Sequence, residues 1–75
     1  EMINKPYSKV NIELKENYNI NEIKKILLNE GQTKITLIIN KKNKKIHYDL
    51  QIPRKFDFNQ LKMMKSKDYV KKITV

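Results

Sequence analysis

Apolar and polar residues alternate in two stretches of the chain, first at Val10, Ile12 and Leu14 and later at Ile46, Tyr48, Leu50 and Ile52. A period of two with polar residues between predicts a strand with one buried face. Each stretch is followed by apolar residues at helical spacing, Ile23, Ile26 and Leu27 in the first case and Phe58, Leu61 and Met64 in the second. Each helical segment then leads into a further strand, through Ile35, Leu37 and Ile39 and through Ile73 to Val75. The predicted order is strand-helix-strand, twice.

The two halves repeat one another in residue class. Residues 18–28 match residues 56–66, and Lys34-Ile35-Thr36 returns as Lys72-Ile73-Thr74 at the same offset. Both copies start their helix with an N-cap residue answered three positions on by Glu or Gln, Asn19 with Glu22 and Asp57 with Gln60. Tyr18 with Ile23 and Phe56 with Leu61 have the spacing of a hydrophobic staple. Gly31, the only glycine, lies where a left-handed residue would stop the first helix. The second helix has no such stop and is expected to end near Ser66 or Lys67.

Two such units joined by a hairpin predict an α+β domain of ferredoxin-like βαββαβ topology: a four-stranded antiparallel sheet with two helices on one face. The first and third strands would lie at the centre and the second and fourth at the edges. The hairpin would span Asn40 to Lys44, with Asn43 taking the positive φ. Residues 8–75 form this single domain, and residues 1–7, with Pro6, read as a leader from an upstream domain. Glu1 at the start and a strand at the end fit the C-terminal fragment of a longer chain.

Size changes little in this picture, since 75 residues is one domain near the limit at which a single core is self-sufficient. The absence of cysteine excludes disulfides and thiolate metal sites. No segment approaches the about 18 apolar residues of a membrane span, and no signal-peptide pattern is present, so a cytoplasmic protein without membrane contact is expected. The net charge of +9 raises the possibility of a nucleic-acid partner. Lysine, isoleucine and asparagine dominate the composition, however, so part of the basicity is compositional.

No side chains are arranged for catalysis. The serines, the threonines and His47 form no nucleophile-base constellation, and a single glycine cannot build a phosphate cradle. The carboxylates are scattered, so neither a metal nor a cofactor is expected. His47 should project from the open sheet face as a solvated strand residue, and Arg54, the only arginine, follows Pro53 in a loop. RNA-recognition domains of this topology stack bases on aromatics of the central strands. The corresponding positions here hold Asn11, Glu13, His47, Asp49 and Gln51.

Two surfaces remain as candidates. Lys41, Lys42, Lys44 and Lys45 crowd the hairpin and could contact phosphates, as could Lys62, Lys65, Lys67, Lys71 and Lys72, although charge runs are usually solvated faces. Ile38 should face outward from an edge strand beside Thr36 and Asn40, where an apolar spot on an open edge suits a protein partner. A third reading, a ligand-sensing domain, needs a glycine-rich loop after the first strand. Lys15-Glu16-Asn17 does not supply one.

From Val10-Asn11-Ile12-Glu13-Leu14 through Gly31-Gln32-Thr33-Lys34-Ile35-Thr36-Leu37, Ile52-Pro53-Arg54-Lys55-Phe56 and Tyr69-Val70-Lys71-Lys72-Ile73, the chain resembles the C-terminal segment of bacterial DNA polymerase III alpha subunits. The resemblance implies a parent DNA-directed DNA polymerase, a nucleotidyltransferase whose metal-binding aspartates lie far upstream. It implies a noncatalytic domain that docks the polymerase to the tau subunit of the clamp loader, next to upstream polymerase domains of the same chain. The alternative expectation is a small basic module that binds nucleic acid.

Overall fold

A computed structural model describes residues 7–75. Six elements follow in order: β1 (Lys9–Leu14), α1 (Ile20–Ile26), β2 (Glu30–Lys41), β3 (Lys44–Asp49), α2 (Phe58–Lys65) and β4 (Val70–Thr74). The protein is an α+β domain with a four-stranded mixed sheet, ordered β3-β2-β1-β4. β1 and β2 pair in parallel, Lys9 with Lys34 through Leu14 with Ile39, and both outer pairs are antiparallel.

This order corrects the ferredoxin-like, all-antiparallel expectation. In that arrangement β3 would lie between β1 and β2; here α1 returns the chain directly beside β1, and β3 folds back on the outer side of β2. The residues account for the choice. Leu37-Ile38-Ile39 is apolar on both faces of the strand, as a central position favours, while β3 reads Lys-Lys-Ile-His-Tyr-Asp, the charged composition of a protected edge. All six β3 residues are exposed.

The core lies between the sheet and the helices. Val10, Ile12 and Leu14 of β1 and Ile35 and Leu37 of β2 are buried in one cluster with Ile23 and Leu27, Met64, Phe56 and Tyr69. α1 packs on α2, and α2 on β4. The expected buried face of β3 is not covered, since Ile46 is 42% and Tyr48 59% exposed. Ile52, Phe58 and Val75 are exposed as well. The Lys62 ammonium sits 5.7 Å from the Phe58 ring centroid, so this ring is shielded by its own helix and not by the core.

Both N-caps form, but only one is reciprocal. Asp57 Oδ1 accepts from Asn59 N–H at 2.9 Å while Gln60 Oε1 accepts from Asp57 N–H at 2.9 Å, completing the capping box. Asn19 Oδ1 accepts from the N–H groups of Asn21 and Glu22 at 3.0 and 3.2 Å. Glu22 instead turns to the C-terminal half, where its Oε1 accepts a 2.8 Å hydrogen bond from the Tyr69 hydroxyl. Burial first, and Glu22 beside it, push the Tyr69 phenol up to about 12.

Gly31 is not a left-handed helix stop: it lies in β2, and its φ is not positive. Its need for glycine is one of space. A Cβ there would fall 2.5 Å from the Cα and 2.6 Å from the N of Lys55, because the 53–55 segment crosses β2 backbone to backbone. The crossing is tied by Gly31 N–H to Pro53 O at 3.1 Å and by Lys55 N–H to Asn29 O at 2.8 Å. It brings Arg54 to the end of α1, where Nη1 donates to Leu27 O at 2.8 Å. The lone arginine thus satisfies a free carbonyl at the end of α1.

Of the predicted leader, residues 1–6 lie outside the described residues. Tyr7 packs on Phe56 with ring centroids 6.2 Å apart, and its N–H donates to Phe56 O at 3.3 Å. The buried Thr33 hydroxyl donates to the Tyr7 carbonyl. No helix among the described residues is long and apolar enough to cross a membrane.

Candidate functional site

Ile38, Thr36 and Asn40 lie on the helix-free face of the sheet as predicted, but on an inner strand and not on an edge. Ile38 is flanked by Glu13 of β1 and His47 of β3 and is partly buried between them. Its neighbours are spent on one another. Thr36 Oγ1 donates to Asp49 Oδ1 at 2.7 Å, and Asn40 Nδ2 donates to Glu13 Oε2 at 2.9 Å and to Leu14 O at 3.2 Å.

Glu13 is the centre of this face. Lys45 of β3 and Lys71 of β4 approach its Oε2 to 3.5 and 3.8 Å from opposite sides. Lys71 can reach it because the β1–β4 register shifts between Glu13 and Leu14, leaving Lys71 as the extra residue of a bulge. The Asn40 hydrogen bond chiefly, then the two lysines, hold the Glu13 carboxyl below its usual value against the opposing effect of desolvation. The result is a polar face knitted across all four strands, with one apolar side chain in it.

The hairpin lysines do not form one footprint. Lys41 and Lys44 pair with each other and follow Ile39 and Ile46 on the helix side of the sheet, whereas Lys45 pairs with Asn40 on the opposite side. Lys42 takes the turn's positive φ of 48° in place of the expected Asn43, and its N–H donates to Glu16 Oε2 at 3.0 Å. That acceptor, fixed in the loop after β1, holds the turn residue in a conformation its side chain does not favour. The second lysine group is also dispersed. Lys62 covers Phe58, Lys67 lies 3.8 Å from Glu22, and Lys71 serves Glu13.

A different surface has the shape of a binding site. On the helix side, α1 bridges the adjacent strands β1 and β2, and α2 carries the chain from one edge of the sheet to the other and docks on β4. Neither helix covers β3. Between α1 and β3 this leaves a groove of about 480 Å³, with Ile39, Tyr48 and Leu50 as its floor and Tyr18, Ile20 and Ile23 along its wall. Ile46, exposed like Tyr48, continues the apolar floor toward the hairpin. Such a volume lies within the range of specific binding clefts.

The groove's charge has one sign. Lys24 and Arg54 are the charged residues lining it, and no carboxylate does so among the described residues. Lys41 and Lys44 extend the same side of the sheet beyond Ile39 and Ile46. Alternation assigns every apolar member of this floor to the core, which holds in part for Ile39 and Leu50, packed against it, and fails for Ile46 and Tyr48, because alternation reports which face is apolar and not whether anything covers it. The signal that could have found the groove is the charge density of β3, which marks an edge.

No cluster of metal-ligating side chains occurs among the described residues. The arrangement offers binding: apolar area, a cationic rim and a free strand edge. No family model matches the sequence, and neither a curated protein nor a solved structure matches it.

Proposed function

We propose that this domain is a noncatalytic protein-interaction module of the replication machinery, the C-terminal part of a replicative polymerase alpha subunit that docks on the clamp-loader tau subunit in the cytoplasm. The partner comes from the sequence resemblance, and the parent polymerase's nucleotidyl transfer belongs to upstream domains. The observation that carries the interaction role is the uncovered apolar face of β3. Exposed, contiguous apolar surface of this kind costs solubility and is characteristic of docking sites.

Calorimetric titration of the chain with the tau subunit tests the reading. Saturable binding at micromolar concentration is the expected result, and no heat at high micromolar concentration of both proteins would sink it. The alternative of a basic nucleic-acid module draws support from the exposure of Lys41, Lys42, Lys44 and Lys45. It requires an affinity that falls steeply with salt and drops when these four are neutralised. Their division between the two sides of the sheet favours the protein partner.

A further inference from the structure

We infer that the groove between α1 and β3 receives an amphipathic helix of the partner whose polar flank is acidic, seated beside α1 as a third member of the helix layer. This deepens the interaction role proposed above and rests on it. Three features of the surface fix the chemistry of the occupant.

The first is coverage. Strands lie about 4.8 Å apart and a helix is about 10 Å across, so one helix spans roughly two strands. α1 connects β1 and β2 and α2 docks on β4, which leaves β3 uncovered at the sheet edge, where one more helix could sit over β3 and overhang the edge. Ile39, Ile46 and Tyr48 line that position with side chains projecting to the helix side, as apolar residues under a helix do.

The second is charge. Lys24 on the wall and Arg54 at one end meet no carboxylate in the groove's lining, and Lys41 and Lys44 continue the basic side beyond the other end, where Glu16 lies beside them. Carboxylates flanking an apolar stripe would meet these cations; lysines there would be repelled. Complementarity of this kind speeds encounter and selects partners more than it adds affinity.

The third concerns the other way to use an edge. A partner strand could extend the sheet along β3, but the strand carries Lys44, Lys45, His47 and Asp49, the composition that blunts edge pairing. A second copy of this chain is disfavoured for the same reason, since it would bring two sets of these lysines together. Helix-in-groove recognition, read as anchors at i, i+3, i+4 and i+7, is the mode that remains.

The test uses two probes on the isotope-labelled chain: the tau subunit, and a synthetic helical peptide of about four turns with leucines at i, i+3, i+4 and i+7 and glutamates elsewhere. Amide shifts are expected to move at Ile20, Ile39, Ile46 and Tyr48 with both probes, and not at Ile38 or His47. Ile46→Lys and Tyr48→Asp, at exposed positions that do not support the core, are each expected to weaken tau binding by about tenfold or more, and Ile38→Lys to leave it unchanged. A peptide with lysines replacing the glutamates is expected not to bind.

If tau fails to bind but the acidic peptide moves the groove resonances, the partner's name is wrong and the groove inference stands. If tau binds, yet the shifts lie on the open face and the groove variants bind normally, the inference is overturned while the interaction role survives. Equal binding of the lysine peptide, dimerisation of the chain through the groove, or silence of both probes would each overturn it.

Discussion

Two residues show how much of this fold depends on local contact that no periodicity encodes. Gly31 lies under the backbone of Arg54 and Lys55, and the atoms that a new Cβ would strike are main-chain atoms that cannot swing away. Gly31→Ala is therefore expected to destabilise the domain by about 2–3 kcal/mol, the upper range for overpacking, with the loss visible as a lower urea midpoint. Glu13 makes the corresponding case in electrostatics. Its carboxyl is held below the ordinary 4.5 in the folded protein, so the folded state binds fewer protons than the unfolded one near that pH. The stabilisation is present in full above pH 4.5 and is lost as the pH falls through the lowered folded value. Glu13→Gln is expected to flatten the acid limb of stability against pH below 4.5, and a variant that keeps the parent's limb would remove Glu13 from its cause.

At the scale of elements, both N-caps were legible in the sequence because capping depends on residues two or three positions apart. Asp57→Ala, which leaves the first-turn N–H groups of α2 without their acceptor, is expected to cost about 1 kcal/mol at an unchanged denaturant slope. The end of α2 was legible too, since Ser66 is its C-cap as expected, but the end of α1 was not. α1 is closed by Arg54, whose guanidinium reaches Leu27 O across 27 positions of chain, and a partner at that sequence distance leaves no local pattern. Glu22 illustrates the same limit. Its spacing from Asn19 fits a capping box, but a tertiary donor, the Tyr69 hydroxyl, takes its carboxylate in place of the local Asn19 N–H.

For the molecule as a whole, the inward residues of β1 and β2 could be read from alternation, whereas the uncovered β3, which ends at Asp49, and the strand order could not. The repeat implies twofold similarity, and the structure uses its two copies differently: the strands of the first are neighbours, whereas those of the second sit at opposite edges. That difference decides the energetics of β3. Were this strand central, a charge at Ile46 would be buried and severely destabilising. At the exposed edge, Ile46→Lys is expected to change stability by no more than about 0.5 kcal/mol, while Leu37→Ala in β2 costs about 2–5 kcal/mol. Thermal denaturation of the two variants separates the topologies. The candidate site shares this origin, since a groove exists over β3 only because the strand lies where neither helix reaches.

The antiparallel pairing of β1 with β4 sets Asn11 opposite Thr74, so the start of one strand and the end of the other are neighbours at the same end of the sheet. A pulling force applied across these two points would load the β1–β4 hydrogen bonds one after another, like the teeth of a zip, and not all at once in shear. The domain would peel open from β4 under low tension. A module built this way yields early when its tethers are strained, even though its core is fully packed.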